Sequence, residues 1–117
     1  MTGAIPTLGG SVAFLSFVRL PMLVHTVFFW LAPDADRAAF ERGLNNLIAI
    51  HSVSHGFFGQ QADTPERPVT DKTFDYGLTI ICDSVESHDA YQIDPIHLHF
   101  VDTCSHMWTK VLVYDYQ

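Results

Sequence analysis

The sequence predicts one α+β domain with its elements in the order β-α-β-β-α-β. This is the ferredoxin-like arrangement, in which an antiparallel sheet carries its helices on one face. Two observations point to strands: an aromatic and β-branched run at Leu23–Leu31, and a second apolar run at Phe74–Asp83 that alternates from side to side. A third points to helices, because the stretches after Pro33 and Pro95 place apolar residues at helical spacing. With 117 residues, 48% of them hydrophobic, the chain can bury one core without disulfide or metal staples.

Taken in order, residues 1–20 read as an N-terminal arm with a short strand at Val12–Val18, ahead of a domain at 21–117. The run from Gly10 to Leu31 is apolar enough to suggest a membrane span or a signal sequence. Arg19, Pro21 and His25 interrupt it and no basic segment precedes it, so neither is expected and a cytoplasmic location is. The strand Leu23–Leu31 has one face of His25, Val27, Phe29 and Leu31 and another of Val24, Thr26, Phe28 and Trp30. Both are mostly apolar, so both are expected to be covered. Pro33-Asp-Ala-Asp opens a helix that runs to about Ile50, with acidic residues favourable in its first turn and Phe40, Leu44, Leu47 and Ile48 as its buried stripe. A strand follows near Ser52–Gly59, then a polar loop at Gln60–Lys72 with two prolines.

In the Phe74–Asp83 strand, Tyr76, Leu78, Ile80 and Cys82 share one face, and Gly77, Thr79 and Ile81 the other. Ser84-Val-Glu-Ser starts a short helix that carries Tyr91 near its end. Asp94 then caps a helix whose first turn holds Pro95. Its expected apolar stripe is Ile96, Phe100, Cys104, Met107 and Trp108, with Val101 and His97 alongside, while His99, Asp102, Thr103 and His106 face water. Lys110–Tyr116 is the last strand. A sheet with helices on one face and apolar residues on the other needs a cover, and a second copy of the chain is the simplest one.

The charge balance, 13 acidic against 6 basic residues for a net −7, leaves no Lys/Arg cluster. Binding to nucleic acid or to an anionic membrane surface is therefore not expected. Cys82 and Cys104 are too few for a zinc motif and read as two buried thiols, with a disulfide between them left open. No Gly-rich phosphate loop follows a strand, and no G-x-S-x-G element is present. His25, His97 and a third ligand such as His55 could meet as a metal set, but no histidine pair at ligand spacing shares one face, so no metal is expected.

What remains is acid–base chemistry. His97 is a candidate general base, since imidazole titrates at about pH 6.5 and both its forms are accessible near neutrality. Tyr91, six residues earlier, could orient it or donate to a substrate carbonyl. His25 could share the task from the pocket face of the first strand. The competing reading is a buried polar group that satisfies itself and fixes the Pro95 turn.

Several of these segments resemble a known family: Val24-His25-Thr26-Val27-Phe28, the helix after Pro33, the Phe74–Asp83 strand, Asp89-Ala-Tyr91…Pro95-Ile-His97 and the ending Val113-Tyr-Asp-Tyr116. Together they are similar to the stress-responsive dimeric α/β-barrel (Dabb) domain, over about Met22 to Gln117. The resemblance implies a homodimer whose two sheets form a barrel, with a cavity between sheet and helices in each subunit. A plant cyclase of this family performs a cofactor-free aldol cyclisation of a poly-β-keto thioester. By motif its pocket tyrosine and histidine fall on Tyr91 and His97, and its first-strand histidine on His25. Its third-strand histidine falls on Tyr76, and the family's frequent histidine before the proline is Asp94 here.

The expectation is therefore a homodimer with catalytic candidates His97, Tyr91 and His25. Its pocket would be lined by Val27, Phe29, Tyr76, Leu78 and Phe100 for a hydrophobic or aromatic small molecule, with no cofactor and no metal. An enzyme of cyclase, lyase or isomerase type and a non-catalytic stress-associated dimer both remain open.

Overall fold

In a computed structural model of the chain, the structure describes residues 22–117; the arm at 1–20 and its expected strand at Val12–Val18 lie outside them. Four strands, β1 (Leu23–Leu31), β2 (His55–Gly59), β3 (Tyr76–Cys82) and β4 (Trp108–Tyr116), form one antiparallel sheet in the order β2-β3-β1-β4. Three helices, α1 (Arg37–Ile48), α2 (Val85–Ile93) and α3 (Pro95–Cys104), join them, and a 3₁₀ turn at Ser105–Met107 leads from α3 into β4. The element order is the ferredoxin-like one, with its second helical segment split in two at Asp94.

The helix boundaries follow from their caps. α1 begins at Arg37 rather than near Pro33, because the Asp36 carboxylate accepts from the Ala39 N–H at 3.0 Å. The expected acidic first turn is thus an acidic cap, which satisfies the same free amides. Ser84 caps α2 by accepting from Ser87 N–H. Asp94 caps α3 by accepting from Ile96 N–H at 2.8 Å, with Pro95 in the first turn, where its missing N–H costs nothing.

β1 is the centre of the sheet. Its odd-numbered residues are buried beneath the helices, and its even-numbered residues are half-buried on the opposite face. The register pairs His25 with Ile80 of β3 and Asp115 of β4, and Val27 with Leu78 and Val113. Directly paired residues share a face, so Asp115, Val113 and Val111 lie on the helix side of β4. Leu112, Tyr114 and Tyr116 lie on the outer side with Phe28 and Thr26. β3 is shorter than expected because Asp75 leaves the ladder to tie three pieces together. Its carboxylate accepts from Leu31 N–H at 2.7 Å and from Arg37 at 2.8 Å, and its own N–H donates to the Phe29 carbonyl.

Phe40, Leu44, Leu47, Leu78 and Ile80 form a core that is at most 1% exposed. α3 approaches α1 closely at Gly43, where a β-carbon would sit 2.8 Å from the Phe100 ring. That approach corrects the stripe expected on α3. Phe100, Cys104 and Met107 are buried along the contact line with α1, whereas Ile96 and Val101, on its flanks, are 43% and 40% exposed. Cys82 and Cys104 are both free, buried thiols. Among the described residues no helix is long and apolar enough to cross a membrane.

Candidate functional site

The face of β1 beneath the helices carries one polar residue, His25, in a row that continues with Val27 and Phe29. Tyr91 reaches the same region from the last turn of α2. The break at Asp94 then lets the chain turn back so that His97, in the first turn of α3, meets Tyr91. The Tyr91 and His97 rings are 5.0 Å apart, and the His25 and Tyr91 rings 5.7 Å. The three histidine and tyrosine candidates therefore converge, although their positions span 73 residues of sequence.

They border a cavity of about 120 Å³, partly open to solvent, whose wall includes Val27, Phe29, Leu78 and Phe100, with Val101, Val111 and Val113 among the residues on its β4 and α3 side. Tyr76 is not in that wall. Its ring packs against Phe40 and Phe58 and its hydroxyl donates to Glu41, because α1 covers this end of β3. Two polar atoms of residues in the wall, His97 Nδ1 and Gln92 Oε1, are buried without a hydrogen-bond partner. Buried polar atoms are paired in the great majority of cases, so these two mark an unsatisfied spot in the residues that form the wall.

Electrostatics keeps these groups neutral. Burial lowers the His97 pKa below the ordinary 6.5, helped by the nearby His25 and opposed by the Gln92 carbonyl and Asp94. Burial also lowers that of His25, and outweighs the upward pull of Asp115. Burial raises the Tyr91 phenol far above its usual value, so it stays protonated and can donate. The arrangement is a neutral base beside a phenolic donor in a mostly apolar hollow.

Two further residues meet His25. Its Nδ1 lies 2.5 Å from Asp115 Oδ1, and its ring lies 5.1 Å from that of His88 on α2. His88 Nε2 is 3.9 Å from Asp115 Oδ2, and His88 Nδ1 is 3.1 Å from Asp89. The sequence reading missed His88, Asp115 and Gln92. His88 was legible as the residue one helical turn before Tyr91. Asp115 becomes visible only once the β1–β4 register is known, because period-two alternation alone cannot say which strand lies beside which. His55, the third ligand in the metal set read from the sequence, is exposed on β2 and pairs across from Ile81 on the outer face.

Residues 23–117 match the stress responsive A/B barrel domain, nearly the whole of the described chain. The chain belongs to this family. Solved structures agree on the fold of this A/B barrel domain. A Dabb family protein with a ferredoxin-like fold from Mesorhizobium loti is 25% identical, with a TM-score of 0.63, covering 82% of this chain and 95% of its own. A dimeric ferredoxin-like protein of unknown function from Thermobifida fusca is 16% identical at a TM-score of 0.65, covering 81% and 89%. A hydroxynitrile lyase from Passiflora edulis is 14% identical at 0.68, covering 83% and 93%. No curated protein matches the chain significantly in sequence. The solved structures that share this fold thus include both a protein of unknown function and an enzyme.

Proposed function

We propose that this A/B barrel domain is a homodimer that binds a small carbonyl compound in the cavity beside His97 and acts on it by cofactor-free proton transfer. In this reading His97 abstracts a proton next to the carbonyl, the Tyr91 phenol donates to the carbonyl oxygen, and His25 completes the polar wall. The observation that carries it is the convergence of His25, Tyr91 and His97 from three separate elements on one partly open cavity. A ligand seated there would meet imidazole and phenol groups together. The hollow is slightly smaller than the roughly 150 Å³ cavity known to hold benzene, so it encloses only a small head group. A hydrophobic or aromatic tail would leave past Val101, Val111 and Val113.

The dimer is supported by the outer sheet face, where Phe57, Leu112, Tyr114 and Tyr116 are 36–65% exposed beside Phe28 and Trp30. An uncovered apolar surface of that kind marks an interface. The relative from Thermobifida fusca is described as dimeric. The bond between His25 and Asp115 favours a second reading for His25 alone, as a structural residue that anchors β4. The test is a thermal-shift screen of small β-keto acids and aromatic ketones against wild type and His97→Ala. A compound that stabilises wild type but not the variant supports the proposal. A screen with no responder, together with a variant that only loses stability, favours the non-catalytic dimer.

A further inference from the structure

His88 and Asp115 take no part in the chemistry proposed at His97, yet with His25 they converge from α2, β4 and β1. One donor atom from each lies within 4.8 Å of the others. We propose that His25, His88 and Asp115 form a binding site for a first-row divalent cation of the zinc class, which clips the end of β4 to β1 and α2. The inference does not rest on the proton-transfer reading, although the two share His25.

Three observations carry it. The donor set, two imidazoles and one carboxylate, is one that such cations favour over Mg²⁺ or Ca²⁺. Second, His88 Nδ1 lies 3.1 Å from the Asp89 carboxylate, a partner that holds the proton on Nδ1 and leaves the Nε2 lone pair free. That is the carboxylate–histidine–metal arrangement. Third, the freed Nε2 is buried with no hydrogen-bond partner and faces Asp115 Oδ2 at 3.9 Å, too far for a hydrogen bond. A lone pair and a carboxylate oxygen facing each other repel, and a proton on Nε2 or a cation between them relieves that repulsion. Bonds of about 2.1 Å at tetrahedral angles separate two donors by about 3.4 Å, so His88 and Asp115 must close by about half an ångström and the 2.5 Å His25–Asp115 contact must open by about 0.9 Å. Asp115 is 44% exposed at its side chain, so its carboxylate has room to turn. On binding, the proton between His25 Nδ1 and Asp115 leaves to solvent and the cation takes its place.

The test uses full-length protein stripped with a chelator and titrated with Zn²⁺ by calorimetry, and with Co²⁺ followed by its visible absorption. One equivalent per chain is expected. His88→Ala and Asp115→Asn are each expected to weaken binding at least tenfold, and Asp89→Asn by about ten- to a hundredfold. A variant with two of the exposed histidines removed, His51→Ala with His55→Ala, is expected to bind as wild type does, and so is His97→Ala. The last result separates this site from the chemistry at His97. Circular dichroism establishes that each variant is folded; if His88→Ala is not, the nearly isosteric Asp115→Asn decides. Wild-type affinity no tighter than that of Asp115→Asn, or binding lost with His51 and His55, overturns the proposal.

Discussion

Tyr91→Phe separates a functional tyrosine from a structural one. The ring is 1% exposed and packs between His25 and His97, so the aromatic body is core and phenylalanine preserves it. No hydrogen bond contributes to the shift of its phenol, which is raised by burial first and by Cys82 second. Removing a hydroxyl that has no protein partner strands nothing, so stability should change by less than about 0.5 kcal/mol in either direction. A hydrogen bond from that hydroxyl to a ligand carbonyl is worth about 1 kcal/mol, or roughly fivefold in Kd. Urea unfolding of the free proteins and calorimetry with a compound that binds wild type measure the two quantities separately. A variant destabilised by more than about 2 kcal/mol, with ligand affinity intact, would mean that the hydroxyl holds the fold together and would refute the assignment.

Other consequences can be checked with ordinary equipment. Gly43→Ala gains up to about 1 kcal/mol of helix propensity but forces a β-carbon against Phe100 and Cys104, and overpacking costs about 1–3 kcal/mol, so a net loss of midpoint in thermal unfolding is expected. His25 and His97 both have folded pKa values below 6.5, so the unfolded chain takes up more protons as pH falls. Their contribution is therefore full above about pH 6.5 and is lost as pH drops from there toward the folded values; urea midpoints from pH 7.5 to 5 should decline, and less so in His97→Ala. Asp94→Ala removes the α3 cap and should cost about 1 kcal/mol while tilting His97, so ligand affinity should fall with stability. Tyr114→Asp puts a charge on the outer sheet face and should turn a dimer into a monomer by light scattering, with the helix-side cavity intact.

Much of the fold was legible because its signals are local. The aromatic and β-branched run at Leu23–Leu31, the Asp94-Pro95 start and the stripe Phe40, Leu44 and Leu47 each report their surroundings within a few residues. Boundaries shifted where a tertiary contact decided them: Asp36 rather than Pro33 starts α1, and Asp75 shortens β3 by leaving the ladder for Arg37 and Leu31 N–H. The site was half legible. His97, Tyr91 and His25 were visible as polar residues in apolar rows, whereas Asp115 depends on which strand lies beside β1, and Tyr76 was drawn away from the cavity by Glu41 on α1. Ile96 and Val101 show the limit of periodicity, which gives the apolar side of α3 but not the line along which α1 meets it.

The most direct test is a crystal structure of the protein soaked with a compound that raises its melting temperature. The account predicts density in the hollow under α3, with a polar atom of the compound within hydrogen-bond distance of the His97 ring and another near the Tyr91 hydroxyl. A compound bound elsewhere, with the hollow filled by the Phe100 and Val101 side chains, would contradict it.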